Sequence, residues 1–274
     1  MVSTDELFKL SNAMADYVAK NEEGYVNYLK TASFTRNYSV SNQLLIQSYL
    51  YSINGQLPRD VRDVQEWNKL GISVMNDTYP IYVMEHDPTH PKSYKPREVY
   101  DISQTNAQGT DSYDKGFLVE ALLLSAPCPI EFAEKIKVKG TRAIYHPDSK
   151  KIEVTKGFRS MDEIVSHVSR EYAHCCYATE TAKNKKDNEV FVYPRAVYND
   201  MAYAASFVVS NAYGIDTSLY KFSNVISSIG KFDTNEIKRE LNRVIVAANS
   251  IMNNLDKQLD RVYGINKGDV INAR

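Results

Sequence analysis

One stretch of the chain, residues 160–176 with the sequence SMDEIVSHVSREYAHCC, constrains the fold more than any other. Ser160 followed three residues later by Glu163 is a capping box, in which each side chain accepts a backbone N–H at the start of a helix. Apolar residues then recur at helical spacing and predict one buried face: Ile164, Val165, Val168, Tyr172 and Cys175. Four polar residues share about one third of the circumference: His167, Arg170, Glu171 and His174. The stretch predicts a helix with either a solvated face or a polar site on that side.

The spacing of the polar residues matches part of a metal-binding motif. In zinc peptidases the helix motif H-E-x-x-H places two imidazoles one turn apart on a metal, and the Glu activates the bound water. Here the five positions from Arg170 to His174 read R-E-Y-A-H, so a guanidinium, which offers no lone pair, replaces the first imidazole. His167 is no substitute, because it lies seven positions before His174, a separation of about 10 Å along the helix axis. The motif predicts a zincin-like helix whose metal site has been lost.

Composition and charge exclude several classes of protein. The chain has 274 residues, a net charge of −1 and no apolar run near the roughly 20 residues that span a bilayer. Its N-terminus lacks the basic and apolar regions of a secretory signal, and its three cysteines make no disulfide framework. We therefore expect a cytoplasmic protein in a reducing compartment. The adjacent Cys175 and Cys176 are either a reactive or metal-binding pair or, as is commoner for intracellular cysteine, small buried hydrophobes.

Hydrophobic periodicity and turn signals divide the chain into two parts and predict an α+β fold. The first part reads as three helices over residues 4–54, a short helix at 61–70 and a β-hairpin formed by residues 72–74 and 79–84. Residues 87–116 are rich in Pro, Ser, Thr and Asp and predict a long connection. The second part reads as two short helices, a hairpin and three long helices, at 118–124, 129–136, 143–154, 160–176, 195–213 and from 234 onwards. We predict a helical N-terminal domain over residues 1–105 and a second domain over residues 115–274.

Several short motifs, taken in order, resemble one known family. They are Y-S-V-S-N at 38–42, Trp67 with Gly71, Y-D-I-S-Q-T at 100–105, the E-x-x-H helix and G-I-D-T at 214–217. This order is similar to that of ArdC-type antirestriction proteins, which come from plasmids, conjugative elements and phages of bacteria. The resemblance implies a single-stranded-DNA-binding-type domain at residues 1–105, a zincin-like metallopeptidase domain at residues 115–274, and a role in protecting incoming DNA from host defence.

The departures from the family pattern fall on its metal site. The family's first zinc ligand corresponds to Arg170, and its third, a Glu in relatives, corresponds to Tyr203 or a residue close to it; the nearest carboxylate is Asp200. We therefore expect no catalytic residue and no bound cofactor, with Glu171 and His174 as relics and zinc as the alternative. We further predict that Arg170 bridges to Asp200 and Tyr203, and that Glu171 and His174 complete a closed polar network in place of the metal.

A second set of residues is a candidate for nucleic-acid or partner binding. A basic stretch after residue 130 carries Lys135, Lys137, Lys139 and Arg142, and the first domain offers Tyr38 and Asn42. The basic residues either meet phosphate or an acidic protein, or form a solvated strand face, because acidic residues interrupt them. Aromatic residues such as Tyr38 either stack on bases or pack in the core. The sequence alone leaves these alternatives open.

Three classes of function remain compatible with these observations. The first is a pseudoenzyme, an ArdC-like scaffold that binds and inhibits a host defence nuclease of restriction or CRISPR type. The second is a protein that protects incoming DNA by binding single strands. The third is a working zinc metallopeptidase with an atypical ligand set. The missing ligands argue against the third, and the near-neutral charge and a 72–84 hairpin without a basic turn argue against the second. We therefore favour the first, a counter-defence (anti-CRISPR or antirestriction) protein.

Overall fold

The computed structural model describes residues 2–49, 55–107, 114–138, 140–183 and 192–264. Within these residues the chain forms two units, one from 2–107 with 221–242 and the other from 114–220 with 243–264. Each unit combines helices with a three-stranded sheet. The predicted α+β class is confirmed. In the described residues, no helix combines the length and the apolar character needed to cross a bilayer.

Three helices open the first unit, as the sequence predicts. Each begins after a polar N-cap whose side chain accepts a backbone N–H of the first turn, which fixes where the helix starts: Ser3, Asn21 and Ser39. The helices are α1, Thr4–Lys20; α2, Glu22–Phe34; and α3, Val40–Ser48. Their inward faces are fully buried, with Leu7, Tyr28 and Leu45 among the side chains that form the core.

The sheet of the first unit corrects the predicted hairpin. Its elements are β1, Val61–Arg62; α4, Val64–Lys69; β2, Ile81–Asp87; and β3, His90–Asp101, with the strands in the order β1-β3-β2. The predicted strand at 79–84 exists as β2, but its antiparallel partner is β3, with Ile81 opposite Val99. The predicted partner at 72–74 makes only an isolated bridge, from Val74 to Thr105. The hairpin prediction was therefore wrong in its first strand, at residues 72–74.

Strand β3 was not predicted from the sequence, because its residues are mostly polar and show no apolar alternation. Charged side chains pair across the hairpin, as in the 3.2 Å ion pair of Lys95 with Glu85. Such cross-strand pairs stabilise a sheet without producing apolar alternation in either strand. Residues that read as a polar connection therefore form a twelve-residue strand.

Residues 221–242 pack with the first unit. Phe222, just before α8 (Ser223–Ile229), lies with its ring centroid 5.3 Å from that of Tyr25. The helix α9, Thr234–Tyr263, begins in this unit, where Lys238 Nζ donates to Ser11 Oγ at 2.9 Å and Asn12 Oδ1 at 2.7 Å. The domain prediction assigned this segment to the second domain because it follows that domain along the chain.

The second unit places a small sheet beside two long helices. Its elements are α5, Lys115–Leu124; β4, Ile130–Ala133; β5, Ala143–His146; β6, Lys151–Thr155; α6, Met161–Lys183; and α7, Arg195–Ala212. β6 is central, with β5 antiparallel and β4 parallel to it. The hairpin predicted over 143–154 is confirmed. The helix predicted over 129–136 was wrong, because this backbone pairs as β4 with β6, Ile130 opposite Ile152.

We expect Asn42→Ala to lower the free energy of unfolding by about 1–2 kcal/mol. In the structure, the Asn42 amide donates to the Met84 carbonyl oxygen at 2.8 Å and accepts the Met84 N–H at 2.9 Å, so it ties α3 to β2. Asn68→Ala, an exposed change in α4 of the same unit, is the matched control. Equal midpoints of urea denaturation for the two variants would contradict this structural role.

Candidate functional site

Helix α6 begins where the sequence predicts and carries the candidate site on its buried side. The Glu163 backbone N–H donates to Ser160 Oγ at 3.2 Å, which is one half of the predicted capping box. The other half is shifted by one residue, since the Glu163 carboxylate accepts the backbone N–H of Arg159 at 2.6 Å. Further along the helix, Glu171 is almost completely buried and His174 completely. The predicted polar face therefore points into the protein.

The Glu171 carboxylate is held by one guanidinium and one backbone amide. Arg195 Nη2 donates to both carboxylate oxygens at 2.7 Å, and the Tyr145 backbone N–H donates to Oε2 at 2.7 Å. The Glu171 side chain is only 5% exposed, whereas that of Arg195 is 32% exposed. An arginine stays charged in a protein, so this is a charge-assisted contact, which is shorter and stronger than a neutral one. The Glu171 carboxylate thus joins α6 to the start of α7 through Arg195 and to β5 through Tyr145.

The imidazole of His174 is held on one side and unpartnered on the other. Its Nδ1 lies 2.7 Å from the phenol oxygen of Tyr193, whose ring stacks on that of Tyr198 with centroids 5.5 Å apart. Its Nε2 is buried and, among the described residues, has no hydrogen-bond partner. Burial, and then the positive charges of Arg195 and Arg170, lower the pKa of His174 to about 2. His174 is therefore neutral at physiological pH.

Arg170 lies against an aromatic ring. Its guanidinium carbon is 5.7 Å from the centre of the Tyr203 ring, within the range of a cation–π contact. Its Nε is buried and has no hydrogen-bond partner among the described residues. Asp200 is exposed, and in the described residues it forms no ion pair with Arg170. The structure thus brings Arg170 to Tyr203, pairs Glu171 with Arg195 and His174 with Tyr193, and leaves Asp200 outside the cluster.

The sequence reading missed two members of this cluster, Arg195 and Tyr193. They lie about twenty residues after His174, beyond residues 184–191, which are outside the described part of the chain. One signal was present in the sequence. Arg195 is the first residue of α7, and a cation at a helix N-terminus is electrostatically unfavourable unless another group pairs with it. An arginine in that position therefore indicates a carboxylate nearby.

The residues around Glu171 do not fit a bound metal ion. A catalytic zinc takes three protein ligands, whereas Arg170 has no lone pair and the Glu171 carboxylate is engaged by Arg195. His174 Nε2 is the one uncommitted nitrogen of an imidazole in this cluster of described residues. Across the described part of the chain, no three His, Cys, Asp or Glu side chains are grouped so as to hold a metal. We therefore derive no metal-dependent chemistry for the site.

The two candidates of the first unit, Tyr38 and Asn42, are used in internal contacts. Tyr38 packs against the buried cluster that includes Ile46 and Val61, and its hydroxyl donates to the Val61 carbonyl oxygen at 3.0 Å. Burial raises the pKa of Tyr38 well above its ordinary value. The Asn42 side-chain amide donates to the Met84 carbonyl oxygen and accepts the Met84 backbone N–H.

The basic candidates of the second unit gather around one cavity. Lys135, Lys137 and Arg142 line it together with residues from the end of β6. Arg142 Nη1 donates to the Gly157 carbonyl oxygen, and its Nε lies 3.7 Å from a Glu163 carboxylate oxygen. Lys139 lies outside the described residues. The structure therefore places three of the four predicted basic residues at one concave surface.

Cys175 contacts Cys128, which the sequence reading did not single out. A hydrogen bond from the Cys128 thiol, the largest influence, and others from Tyr145 and Thr179 lower the pKa of Cys175 to about 7. Burial is the main cause that raises the pKa of the adjacent Cys176 to about 11. Cys175 is 5% exposed, which restricts access of reagents to this thiol.

The chain has the fold of an antirestriction protein. A crystal structure of the antirestriction protein ArdC from plasmid R388, with Mn(II) bound, matches it with a TM-score of 0.56. The match covers 90% of this chain and 98% of that chain at 14% sequence identity. The metal-free crystal structure of the same protein matches with a TM-score of 0.47, over 80% of this chain and 86% of that chain, at 15% identity. No protein-family model matches the sequence, and no curated protein matches it. The ArdC-like fold that the sequence predicts is confirmed.

We expect Arg195→Met to lower the free energy of unfolding by about 1–3 kcal/mol, because it strands a buried carboxylate. The double variant Glu171→Gln/Arg195→Met should lose less than the sum of the two single variants, since each single change leaves the other partner unpaired. Arg159→Met, which truncates an exposed arginine of the same unit, is the control. Urea denaturation measures all four, and additive single and double effects would contradict the pairing.

We also expect His174 to make the protein less stable in acid. The unfolded state takes up a proton on this histidine below pH 6.5, whereas the folded state, with its pKa near 2, does not. The free energy of unfolding should therefore fall as the pH drops below 6.5, by up to roughly 1.4 kcal/mol per pH unit. Denaturation of His174→Gln between pH 7 and 5 should show a flatter slope than the wild type. Parallel slopes for His174→Gln and the wild type would refute this expectation.

Proposed function

We propose that this chain is a counter-defence protein of a mobile genetic element, which binds and inhibits a host defence nuclease of restriction or CRISPR type. On this proposal it acts in the bacterial cytoplasm as a pseudoenzyme, without peptidase chemistry. The likeness of its fold to the antirestriction protein ArdC supports the general role. The particular mode of action rests on the buried cluster around α6.

The observation that carries the proposal is the engagement of Glu171 by Arg195. A peptidase glutamate must face a metal-bound water and take its proton. Here a guanidinium occupies both carboxylate oxygens at 2.7 Å, and a backbone N–H shares one of them. The same carboxylate therefore acts as a fixed structural acceptor. A scaffold in this state is suited to binding rather than to hydrolysis.

A protection assay tests the proposal directly. The chain is purified, treated with a chelator, dialysed into metal-free buffer and then added to a host nuclease supplied with its own Mg²⁺. We expect nuclease activity to fall in proportion to the chain added, and to fall equally with untreated chain. Metal analysis of the untreated chain should find far less than one zinc or manganese per molecule. Inhibition that disappears after chelation and returns with either metal would contradict the pseudoenzyme reading.

Capture from a host lysate separates this proposal from protection by single-stranded-DNA binding. The tagged chain is incubated with lysate of a restriction-proficient host, before and after digestion of all nucleic acid. A defence nuclease that stays bound after digestion and is inhibited by the purified chain supports the proposal. Capture that depends on nucleic acid, together with tight binding of single-stranded DNA at physiological salt, would favour the alternative.

A further inference from the structure

A cavity of about 540 Å³ opens in the second unit, and its lining includes none of the residues that hydrogen-bond to Glu171. Its walls come from residues 134–138 and 140–142, which follow β4 and lead into β5, and from Thr155 and Gly157 at the end of β6. Its volume lies within the range of small-molecule sites, roughly 300–1,000 Å³. The surface is therefore large enough for a nucleotide-sized ligand.

The charges around the cavity leave it positive. Glu134, the one carboxylate of the lining, accepts from Lys156 Nζ at 2.7 Å and is thereby balanced. Lys135 and Lys137 have no ion-pair partner among the described residues. Arg142 donates to the Gly157 carbonyl oxygen, and its Nε lies 3.7 Å from a carboxylate oxygen of Glu163, which offsets part of its charge. The two ammonium groups of Lys135 and Lys137 and the anchored guanidinium of Arg142 therefore give this surface a net positive charge.

A buried hydroxyl adds a neutral donor. Thr155, the last residue of β6, is 8% exposed, and its Oγ1 has no hydrogen-bond partner among the described residues. Its backbone N–H is already bonded to the Arg142 carbonyl oxygen at 2.9 Å, so the strand is fixed here. Buried polar side-chain atoms in proteins nearly always have a partner. An unpartnered hydroxyl in the wall of a cationic cavity is therefore a donor that is available to a ligand.

We propose that this cavity binds a phosphate monoester, carried either by a free nucleotide or by the 5′ end of a nucleic-acid strand. A phosphate monoester carries a charge of about −1.5 to −2 at neutral pH and three terminal oxygens, which matches two lysines, one arginine and a hydroxyl. A carboxylate brings one charge and two oxygens and satisfies fewer of these groups. An internal phosphodiester is flanked by sugars on both sides, whereas a terminal phosphate enters a cavity end first.

Titration calorimetry on the full chain tests the site with defined probes. We expect adenosine 5′-monophosphate to bind and adenosine not to bind, with inorganic phosphate competing. A ten-nucleotide thymidine strand with a 5′-phosphate, compared with the same strand ending in a hydroxyl, distinguishes the two sources. If the phosphorylated strand binds more tightly than adenosine 5′-monophosphate, the ligand of the cavity is the 5′ end of a strand. If the nucleotide binds more tightly, the ligand is a free nucleotide.

Matched variants locate the binding. Lys135→Ala and Lys137→Ala should each weaken affinity about tenfold, because each removes a charge-assisted contact, while Lys257→Ala, at an exposed lysine of α9, should not. Thr155→Val should weaken affinity without lowering the melting temperature, since its hydroxyl has no internal partner to lose, and Thr155→Ser should restore it. The proposal is overturned by no binding of phosphate or nucleotide at millimolar concentration, by variants that bind like the wild type, or by strands that bind regardless of their 5′ group.

Discussion

The buried carboxylate of Glu171 is the group on which the second unit depends. It accepts from Arg195 at the start of α7 and from the Tyr145 backbone in β5, so one side chain of α6 fixes a helix and a strand at once. A charge at this depth is costly unless it is paired and hydrogen-bonded. The sequence satisfies that requirement with Arg195, a residue that carries a permanent positive charge.

An arginine and a metal ion solve the same electrostatic problem in different ways. Both neutralise a buried carboxylate, but a metal keeps an open position for water, whereas a guanidinium ends in N–H groups that only donate. Arg195 donates to both oxygens of Glu171 and the Tyr145 N–H to one of them, so most of the acceptor capacity of this carboxylate is used in internal contacts. His174, neutral and bonded to Tyr193, completes the cluster as a packed aromatic residue. Arg170 likewise makes an internal contact, since its guanidinium carbon lies 5.7 Å from the centre of the Tyr203 ring.

Local signals predicted much of this fold, and distant contacts account for what was missed. The start of α6 at Ser160, its apolar spacing and the hairpin over 143–154 all depend on residues close in sequence. The pairing of β2 with β3 and of Glu171 with Arg195 depends on partners that only the folded chain brings together. The same holds for Lys238, which bonds to Ser11 from the far end of the chain. Side-chain periodicity describes one element, and it contains no information about its neighbour.

Binding residues are harder to predict than core residues, because the same side chain serves both purposes. Tyr38 and Asn42 have the chemistry of nucleic-acid recognition, yet their polar atoms are spent on the backbones of Val61 and Met84. For Lys135 and Lys137 the sequence left a binding surface and a solvated face both open; among the described residues they have no ion-pair partner, and Glu134 pairs with Lys156. The polar atoms of Tyr38 and Asn42 have internal hydrogen-bond partners, whereas the ammonium groups of the two lysines have no ion-pair partner among the described residues. We therefore place the proposed binding site at the end of β6, where Lys135, Lys137 and the Thr155 hydroxyl line one cavity without internal partners among the described residues.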